Sequence, residues 1–357
     1  MKIAILYGGK SAEHEISILS ANNVFKNLDK EKYEPVLIKI NRSGKWFTDR
    51  SMIENNDFAK IDNLSDFDPK DELLLNPGDD KPFVLDNELR FTVSAVYPVL
   101  HGPNGEDGSV QGLLKILNLP FVGPGVLGSA VGMDKEIMKR LLREAGIKIG
   151  DYLVARYGKY PDFKTVKTTL GLPVYIKPAN MGSSVGISRV SDESQYEKAI
   201  ELAYQFDTKL VIEANIDGRE VECAILGNEN PKASVPGEVA ATKEFYDYEA
   251  KYLDDKGYEI MIPADLDKDV ENRVREIAVK TFQVLECEGL SRVDVFVTRD
   301  NDILVNEINT LPGFTSISMY PMLWRESGID YTELITKLID FAISRFKRDE
   351  RLKNSIQ

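Results

Sequence analysis

Two consecutive strand patterns in the C-terminal third constrain the fold of this chain more than any other segment. Residues 290–297 and 305–309 alternate apolar and polar side chains, which is typical of strands with one buried face and one polar face. The polar residues 298–302 between them predict a turn. The two strands should therefore pair as a hairpin.

The polar face of this hairpin carries residues that suit a divalent cation. Alternation places Arg292 and Asp294 on one face of the first strand, and Glu307 and Asn309 on one face of the second. If the faces coincide, three oxygen ligands converge beside one arginine. Oxygen ligands without His or Cys suit Mg²⁺ or Mn²⁺, which usually also bind a substrate phosphate. A solvated polar face would show the same alternation, so the hairpin alone does not separate the two interpretations.

Composition restricts the partners of the chain. Its 357 residues suffice for two or three domains, and 43% hydrophobic with 29% charged residues is normal for a soluble enzyme. A net charge of −13 argues against general nucleic-acid binding, which needs a basic surface. Cys223 and Cys287 lack metal-type spacing and suggest reduced thiols in a cytoplasmic protein. No apolar run reaches membrane-spanning length, and residues 3–7 are too short for a signal-peptide core.

The first residues predict the start of an open α/β sheet. A buried strand over residues 2–7 runs into Gly8 and Gly9, and a helix follows through Leu28. The glycine spacing differs from G-x-G-x-x-G, so no dinucleotide site is predicted. Glu13 lies near the helix start, where such sheets bind ligands. Taken alone, Glu13 is better explained as an acid that complements the helix dipole.

A second glycine-rich loop follows a predicted buried strand over residues 91–100. It contains His101, one of two histidines in the chain, and a helix follows from Ser109. A loop at the carboxyl end of a strand is well placed for ligand contact. Residues 41–90 are polar and irregular, with short strands at 44–47 and 83–85, and predict an elaboration of the first domain.

Small residues at positions 120–132 mark the predicted domain boundary. Asp134 should cap a helix that runs to Ala145. Lys135 falls in its first turn, where a cation is unfavourable for the helix dipole, which suggests another role.

A strand over residues 172–178 carries Lys177 near its end, and the Gly/Ser-rich loop 179–187 follows. Hydroxyl-rich flexible backbone can close over phosphates, and the upstream lysine favours that interpretation over an ordinary hairpin loop. Further along, a helix is predicted at 192–206 and strands at 210–213 and 221–226. The aromatic and charged segment 245–252 is a predicted lid loop, and a helix over 331–345 closes the chain.

Five segments in a fixed order carry a resemblance to a known family. They are GGKSAEHEIS, LHGPNGEDGSVQG, KPANMGSSVGIS, FYDYEAKY and RVDVF…NEINTLPGFTSIS. The chain resembles the ATP-grasp ligases, and within them the D-alanine–D-alanine ligases, from Lys2 to about Phe341. The resemblance implies an N-terminal Rossmann-like open sheet domain followed by a two-lobed ATP-grasp fold. The implied domains are residues 1–132, 133–226 (central lobe) and 227–357 (C-terminal lobe with metal site and lid).

The resemblance also implies roles for individual residues. Those expected to bind ATP are Lys135, Lys177, Glu213, Ala214, Ile216, Glu220 and Lys251. Many relatives have lysine at the position of Ala214, but that contact is largely through backbone. Asp294, Glu307 and Asn309 would hold two Mg²⁺ or Mn²⁺ ions.

The expected substrate contacts follow the same resemblance. Glu13 would bind the ammonium group of the first D-alanine and join Ser183 and Tyr252 in a hydrogen-bonded triad, and Arg292 would lie over the transferred phosphate. The other residues expected at the substrates are His101, Gly313 and Ser318.

The implied activity is ATP-dependent ligation of two D-alanines through an acyl phosphate, giving ADP and phosphate, for a peptidoglycan precursor. A carboxylate is a poor electrophile, and phosphorylation supplies the leaving group it lacks. The implied small-molecule partners are D-alanine and ATP. The family also implies a homodimer, and neither nucleic acid nor a membrane is expected as a partner. Two alternatives are a depsipeptide ligase that uses D-lactate and a nucleotide-binding regulator without turnover.

Overall fold

A computed structural model describes residues 1–58, 61–241 and 258–353, and these residues form a mixed α/β protein, as the sequence predicts. The described helices are α1 (His14–Asn27), α2 (Arg50–Asn55), α3 (Ser109–Ile116), α4 (Val126–Met133), α5 (Lys135–Glu144), α6 (Phe163–Leu170), α7 (Glu193–Ala203), α8 (Lys268–Val284), α9 (Met319–Glu326) and α10 (Tyr331–Asp349). The described strands are β1 (Lys2–Gly8), β2 (Glu34–Ile40), β3 (Trp46–Thr48), β4 (Asp71–Leu75), β5 (Phe83–Leu85), β6 (Leu89–Phe91), β7 (Ala95–Val99), β8 (Tyr152–Arg156), β9 (Val174–Pro178), β10 (Ser188–Val190), β11 (Lys209–Ala214), β12 (Gly218–Gly227), β13 (Lys232–Ala233), β14 (Gly237–Ala241), β15 (Tyr258–Met261), β16 (Gly289–Thr298) and β17 (Ile303–Asn309).

The first sheet has seven strands in the order β6-β5-β4-β3-β2-β1-β7. Strand β1 pairs in parallel with β2 and β7, whereas the strands from β3 to β6 add antiparallel neighbours. Residues 41–90, predicted to be largely irregular, therefore extend this sheet. The strands predicted at 44–47 and 83–85 correspond to β3 and β5. Strands β4 and β6 were not predicted, because strands this short are stabilised mainly by the strands beside them.

Strand β1 separates two hydrophobic cores. Ile3, Ile5 and Tyr7 point into one core, and Ala4 and Leu6 point into the other, as the period of two along a strand requires. The first of these cores continues into helices α9 and α10 from the opposite end of the chain. This packing joins the N-terminal sheet to the C-terminal helices.

The second sheet has four strands in the order β10-β9-β11-β8. Helices α6 and α7 cover it through Val166, Tyr196 and Ile200, which pack with Ile176 and Ile212 of the sheet. Asp192 caps the start of helix α7, since its side chain accepts a hydrogen bond from the backbone N–H of Ser194.

The third sheet contains the predicted hairpin. Its strands follow the order β15-β14-β12-β16-β17, with β13 paired to β12, and helix α8 covers it through Val274, Ala278 and Phe282. Strands β16 and β17 pair antiparallel with a register shift between Asp294 and Val295. The prediction of a hairpin from alternation is confirmed.

Some sequence-based boundaries are wrong. The predicted strand 91–100 is two strands, because Phe91 ends β6 whereas Ala95–Val99 pairs with β1. Helix α4 lies within the small-residue segment predicted as a boundary. Strand β8 and helices α6, α8 and α9 were not predicted, although the core residues of α8 recur every three or four positions.

The division into residues 1–132, 133–226 and 227–357 stays a prediction. Strand β12 ends at Gly227, and its strand partners β13, β14 and β16 all belong to the third sheet.

Among the helices that the structure describes, none combines the length and the apolar composition that crossing a bilayer requires.

Candidate active site

A cleft of about 650 Å³ is lined by residues of the second and third sheets and by residues of the loops and the helix that follow strands β1 and β7. Every predicted site residue within the described part of the chain lines it: Glu13, His101, Lys135, Lys177, Ser183, Glu213, Ala214, Ile216, Glu220, Arg292, Asp294, Glu307, Asn309, Gly313 and Ser318. Residues distant in sequence thus meet at one place. The predicted contacts of Lys251 and Tyr252, and the lid segment 245–252, lie outside the described residues.

The N-terminal sheet contributes Glu13 and His101 from the carboxyl ends of β1 and β7. Both side chains are buried. The His101 ring lies 3.2 Å from the Ser20 hydroxyl, measured from Nε2 to Oγ. Burial lowers the pKa of His101 below its ordinary value, although the charge of Glu13 opposes this effect. Burial therefore favours the uncharged form of the His101 ring.

Gly102 lets the second loop approach Glu13 closely. A Cβ atom at this position would lie 2.7 Å from Glu13 Oε2 and 2.8 Å from Ser11 Oγ, and its φ of +74° favours glycine. A larger residue would therefore displace the Glu13 carboxylate.

The Gly/Ser-rich loop between β9 and β10 reaches the same carboxylate. Ser183 donates a hydrogen bond from its hydroxyl to Glu13 Oε1, and its φ of 50° lies in the left-handed region. Lys135 anchors the loop, since its Nζ donates to the carbonyl of Met181 at 2.8 Å and its backbone N–H to Ala179 at 3.0 Å. The loop predicted to surround phosphates therefore lies against Glu13 and the start of α5.

The polar faces of the hairpin strands coincide, as the alternation predicts. Asp294 lies opposite Glu307, and Arg292 lies opposite Asn309. Arg292 donates two hydrogen bonds of 2.7 Å to the carboxylate of Asp294, and Asn309 Nδ2 donates to Asp294 Oδ2 at 2.9 Å. Lys135 Nζ lies 3.4 Å from Glu307 Oε2. Two carboxylates and one amide thus converge beside two cations.

This group fits a divalent cation of the hard type. Within residues 1–58, 61–241 and 258–353, no cluster of three or more His, Cys, Asp or Glu side chains has metal-binding geometry. The hairpin offers two carboxylates and the amide of Asn309 instead. Mg²⁺ is commonly held by only one or two carboxylates, while waters and substrate phosphates complete its octahedron. The donor chemistry of Asp294, Glu307 and Asn309 therefore suits Mg²⁺ or Mn²⁺.

A second group of buried charges surrounds Glu213 on β11. Lys139 Nζ lies 2.9 Å from Glu213 Oε1, and Lys177 Nζ lies 2.5 Å from Glu213 Oε2. Burial would raise the pKa of Glu213, but the two lysines outweigh it and hold that pKa below its usual value. Burial would likewise lower the pKa of Lys177, but Glu213 and Glu307 outweigh it and raise that pKa. Both shifts favour the charged forms of Glu213 and Lys177.

The residues after Glu213 line the wall of the cleft. Ala214 ends β11, and Ile216 packs against Gly150, where a Cβ atom would lie 2.8 Å from Ile216 Cδ1. Glu220 follows on β12 and contributes to the raised pKa of Lys177. An apolar wall ending in a carboxylate can hold a flat ring with polar groups at its edge.

The loop after β17 completes the cleft. Ser318 precedes helix α9, and its hydroxyl accepts a hydrogen bond of 2.9 Å from the backbone N–H of Thr315. A Cβ atom at Gly313 would lie 2.8 Å from Ser318 Oγ, so glycine keeps that hydroxyl accessible in a tight turn. A helix N-terminus favours negative charge, which suits a substrate carboxylate.

Sequence analysis missed three charged residues of the cleft. Lys139 is four residues after Lys135, and Glu222 is two residues after Glu220. A spacing of four places Lys139 on the same helix face as Lys135, and a spacing of two places Glu222 on the same strand face as Glu220. Both spacings could have identified these residues from the sequence. Glu222 lies 2.8 Å from Arg292, measured from Oε2 to Nε.

Glu106 is the third of these residues. It belongs to the glycine-rich loop after β7, and its Oε2 accepts a hydrogen bond of 2.7 Å from the backbone N–H of Gly102. Burial, together with the charge of Glu13, raises the pKa of Glu106 well above its ordinary value. The sequence gives no signal for this shift, because it depends on the spatial proximity of Glu13.

Two family models match most of the chain. The model described as D-ala D-ala ligase N-terminus matches residues 2–124, and the model described as D-ala D-ala ligase C-terminus matches residues 141–340.

Curated relatives and solved structures agree with these matches. The D-alanine–D-alanine ligase of Oceanobacillus iheyensis is 49% identical and aligns over 99% of this chain and 98% of its own length. The D-alanine–D-alanine ligase A of Salmonella typhimurium is 45% identical over 100% of this chain and 99% of its own.

Two solved structures share the fold. The D-alanine–D-alanine ligase of Coxiella burnetii has a TM-score of 0.86 and 36% identity, covering 98% of this chain and 96% of its own. The VanG D-Ala:D-Ser ligase of Enterococcus faecalis has a TM-score of 0.82 and 35% identity, covering 96% of this chain and 99% of its own. The predicted ATP-grasp architecture is thereby confirmed.

Proposed function

We propose that this chain, which belongs to the D-alanine–D-alanine ligase family, joins two D-alanines into D-alanyl-D-alanine and converts ATP to ADP and phosphate. Within the structure, the observation that carries the proposal is the single cleft that contains both a buried carboxylate, Glu13, and the charged hairpin with Arg292. The product would serve as a precursor of peptidoglycan.

The first D-alanine would bind through its ammonium group to Glu13. The Ser183 hydroxyl and the close approach of Gly102 hold this carboxylate in one position. A buried charge needs a partner, and an ammonium supplies it. His101 lies close enough to Glu13 for the two charges to interact and would pack against the same substrate.

Phosphoryl transfer to the first carboxylate needs positioning and neutralisation of charge. Lys135 and Lys177 would hold ATP phosphates, and Arg292 would lie over the transferred group. Glu213 and the backbone from Ala214 to Ile216 would bind adenine, and Glu220 the ribose, because they line the wall of the same cleft. Lys251, which is not among the described residues, would also contact the phosphates.

Asp294, Glu307 and Asn309 would hold two Mg²⁺ or Mn²⁺ ions. Such ions neutralise charge on phosphate oxygens and orient them for in-line attack. The convergence of the three side chains on one face of the hairpin supports this assignment.

The second D-alanine would then attack the acyl phosphate through its neutral amine. Arg292 and the backbone N–H of Gly313 would stabilise the negative charge of the tetrahedral intermediate, which expels phosphate. Ser318 would bind the carboxylate of this substrate at the start of α9. Tyr252 would join Ser183 and Glu13, and the lid would exclude water from the acyl phosphate.

The proposal places the reaction in the cytoplasm and the enzyme in a homodimer. The buried free thiols of Cys223 and Cys287 fit a reducing compartment. The homodimer is supported by family membership alone.

Incubation of the purified protein with ATP, Mg²⁺ and D-alanine tests the function. The expected result is D-alanyl-D-alanine by mass spectrometry, with ADP and phosphate in equal amounts. D-serine, D-lactate and L-alanine, each offered together with D-alanine, test the choice of the second substrate. A preference for D-lactate or D-serine would identify a different ligase, and the absence of both ADP and dipeptide would overturn the proposal.

A further inference from the structure

Lys139 is a buried lysine in the cleft to which neither the sequence nor the proposed mechanism gives a role. Its exposed fraction is 2%, and that of its partner Glu213 is 6%. The two oxygens of the Glu213 carboxylate are divided between two lysines, with Lys139 at 2.9 Å and Lys177 at 2.5 Å. Two cations therefore share one buried anion.

The surroundings of Lys139 fix its ammonium group in place. It lies on helix α5, one turn after Lys135, so both side chains reach the cleft from one face of the helix. Its Nζ contacts the carbonyl oxygen of Asn306 at 3.5 Å and lies 5.9 Å from the ring centre of Tyr152. These contacts hold Lys139 deeper in the protein than Lys177, whose side chain is 14% exposed.

In the proposed function, Lys177 and Glu213 each bind a part of ATP, although in the structure they bind each other. Lys177 would bind an ATP phosphate, and Glu213 would accept a hydrogen bond from the adenine amino group. A lysine that turns toward phosphate leaves its carboxylate behind, and an uncompensated buried carboxylate is strongly unfavourable. A second, permanent cation at Glu213 removes this difficulty.

We propose that Lys139 is a positioning residue for ATP: it keeps Glu213 as a fixed anion at the adenine end of the cleft, so that Lys177 can exchange Glu213 for phosphate. This inference rests on the proposed function, because it takes ATP as the ligand of the cleft. Lys139 itself need not touch ATP. It acts through Glu213, which touches both Lys139 and Lys177.

The variant Lys139→Met tests the inference. Lys177 then becomes the main partner of Glu213. The ATP phosphate must therefore compete with the Glu213 carboxylate for the ammonium group of Lys177. We expect the KM for ATP and the calorimetric Kd for ADP to rise at least about tenfold. The KM for D-alanine and kcat at saturating ATP should stay within about twofold. Lys139→Arg keeps the charge and should recover most of the ADP affinity.

Arg143→Met is the matched control. Arg143 lies on the same helix, and its guanidinium lies 5.0 Å from the ring centre of the same Tyr152, but its side chain is exposed and it has no ion pair with Glu213. Its replacement should leave the ADP affinity unchanged. If Lys139→Met does not fold, Lys139→Gln retains a hydrogen-bond donor without the charge and serves the same test.

A double variant separates positioning from packing. If Lys139 acts through Glu213, then Lys139→Met should add little to the loss of ADP affinity caused by Glu213→Gln, because coupled residues are not additive. Additive losses, or a lower melting temperature with unchanged ADP affinity, would overturn the inference. Since calorimetry with ADP needs no turnover, these outcomes are distinct from failure of the parent protein to form dipeptide, which would overturn the proposed function.

Discussion

Glu13 offers a residue-scale test that separates the two substrates. Its carboxylate is buried and is held by the Ser183 hydroxyl. Removing the charged partner of a substrate ammonium should cost on the order of 2–5 kcal/mol. Glu13→Gln should therefore raise the KM for the first D-alanine far more than the KM for ATP in steady-state assays.

Glu15→Gln is a suitable control for this variant. Glu15 lies in the first turn of α1, two residues after Glu13, with its side chain 67% exposed, and it pairs with Arg42 at the surface. Its replacement should change neither KM value. Equal losses for D-alanine and ATP in Glu13→Gln would indicate that Glu13 has a structural role.

Glu307 tests the metal assignment. Glu307→Gln removes one ligand charge from the hairpin and the partner of Lys135. We expect ADP formation to be nearly abolished, because both metal binding and charge neutralisation weaken, while the melting temperature is retained. The exposed Glu276 on α8 provides a control substitution, Glu276→Gln. Unchanged turnover at saturating Mg²⁺ would remove Glu307 from the metal site.

Glu106 predicts a pH dependence of stability. Its pKa is raised by burial and by Glu13, so the folded state binds the proton more tightly than the unfolded state. This contribution to stability is present at low pH and is lost as pH rises above the ordinary carboxyl value of about 4.3. The stability of Glu106→Gln relative to the parent should therefore increase with pH. Urea unfolding of both proteins between pH 5 and 8 gives the difference in their free energies of unfolding. A difference that does not change with pH would contradict the raised pKa of Glu106.

The residues that the sequence predicts are those with a local pattern. Strand alternation places Asp294 and Glu307 on one polar face. The positions of Glu13 and His101 after buried strands make ligand contact possible, but their roles come from the family resemblance. Lys139 acquires its importance only through Glu213, which lies on another element. Their pairing requires the second sheet to pack against α5, which no local pattern encodes.

At the scale of single elements, helix α5 depends on its cap. Asp134 Oδ1 accepts hydrogen bonds of 3.1 Å from the backbone N–H groups of Glu136 and Ile137, and Lys209 Nζ lies 2.6 Å from Asp134 Oδ2. Asp134→Ala should lower the free energy of unfolding by about 1 kcal/mol for the cap alone. It should also raise the KM for ATP, because Lys135 is the first residue of the helix.

Asp134→Asn distinguishes the cap from the ion pair. Asparagine retains a capping oxygen but has no charge for Lys209, so its stability should fall between those of the parent and Asp134→Ala. Urea unfolding at constant pH gives this order. If the two variants are equally unstable, the ion pair rather than the cap holds the start of α5.

A helix or strand could be predicted from the sequence where its own residues carry a clear periodic pattern or a capping residue. The hairpin of β16 and β17 has strong alternation, and α5 has both a cap and an apolar period. The short strands β3 to β6 are stabilised mainly by pairing with one another, and the run from Phe91 to Val99 divides between two partners. A continuous apolar run does not reveal such a division.

At the scale of the whole molecule, Arg345 joins helix α10 to the segment that follows helix α3 and bridges to strand β7. This buried side chain of α10 donates hydrogen bonds of 2.7 and 2.6 Å to the carbonyls of Phe121 and Gly123 and stacks on the Phe121 ring at 4.6 Å. Arg345→Met should leave two buried acceptors without a donor. We expect a loss of about 1–3 kcal/mol in the free energy of unfolding.

Arg348→Met is the control for this substitution. Arg348 is one turn away, is 42% exposed and pairs with surface acids, so its loss should cost within about 1 kcal/mol. Chemical denaturation of both variants makes the comparison. Equal small losses would mean that Arg345 does not hold the C-terminal helix to the N-terminal sheet.

The core shared by β1, β7 and the last two helices has a consequence for synthesis of the protein on the ribosome. The strands of the first sheet are made before Phe314, which packs edge-on against Tyr97 at 5.9 Å, and before helices α9 and α10. Helix α1 packs in the same core and is made directly after β1, but the part of this face that contacts Phe314, α9 and α10 stays uncovered until those residues are made. During that interval its apolar side chains can contact other nascent chains, so this surface is prone to aggregation until the later helices pack on it.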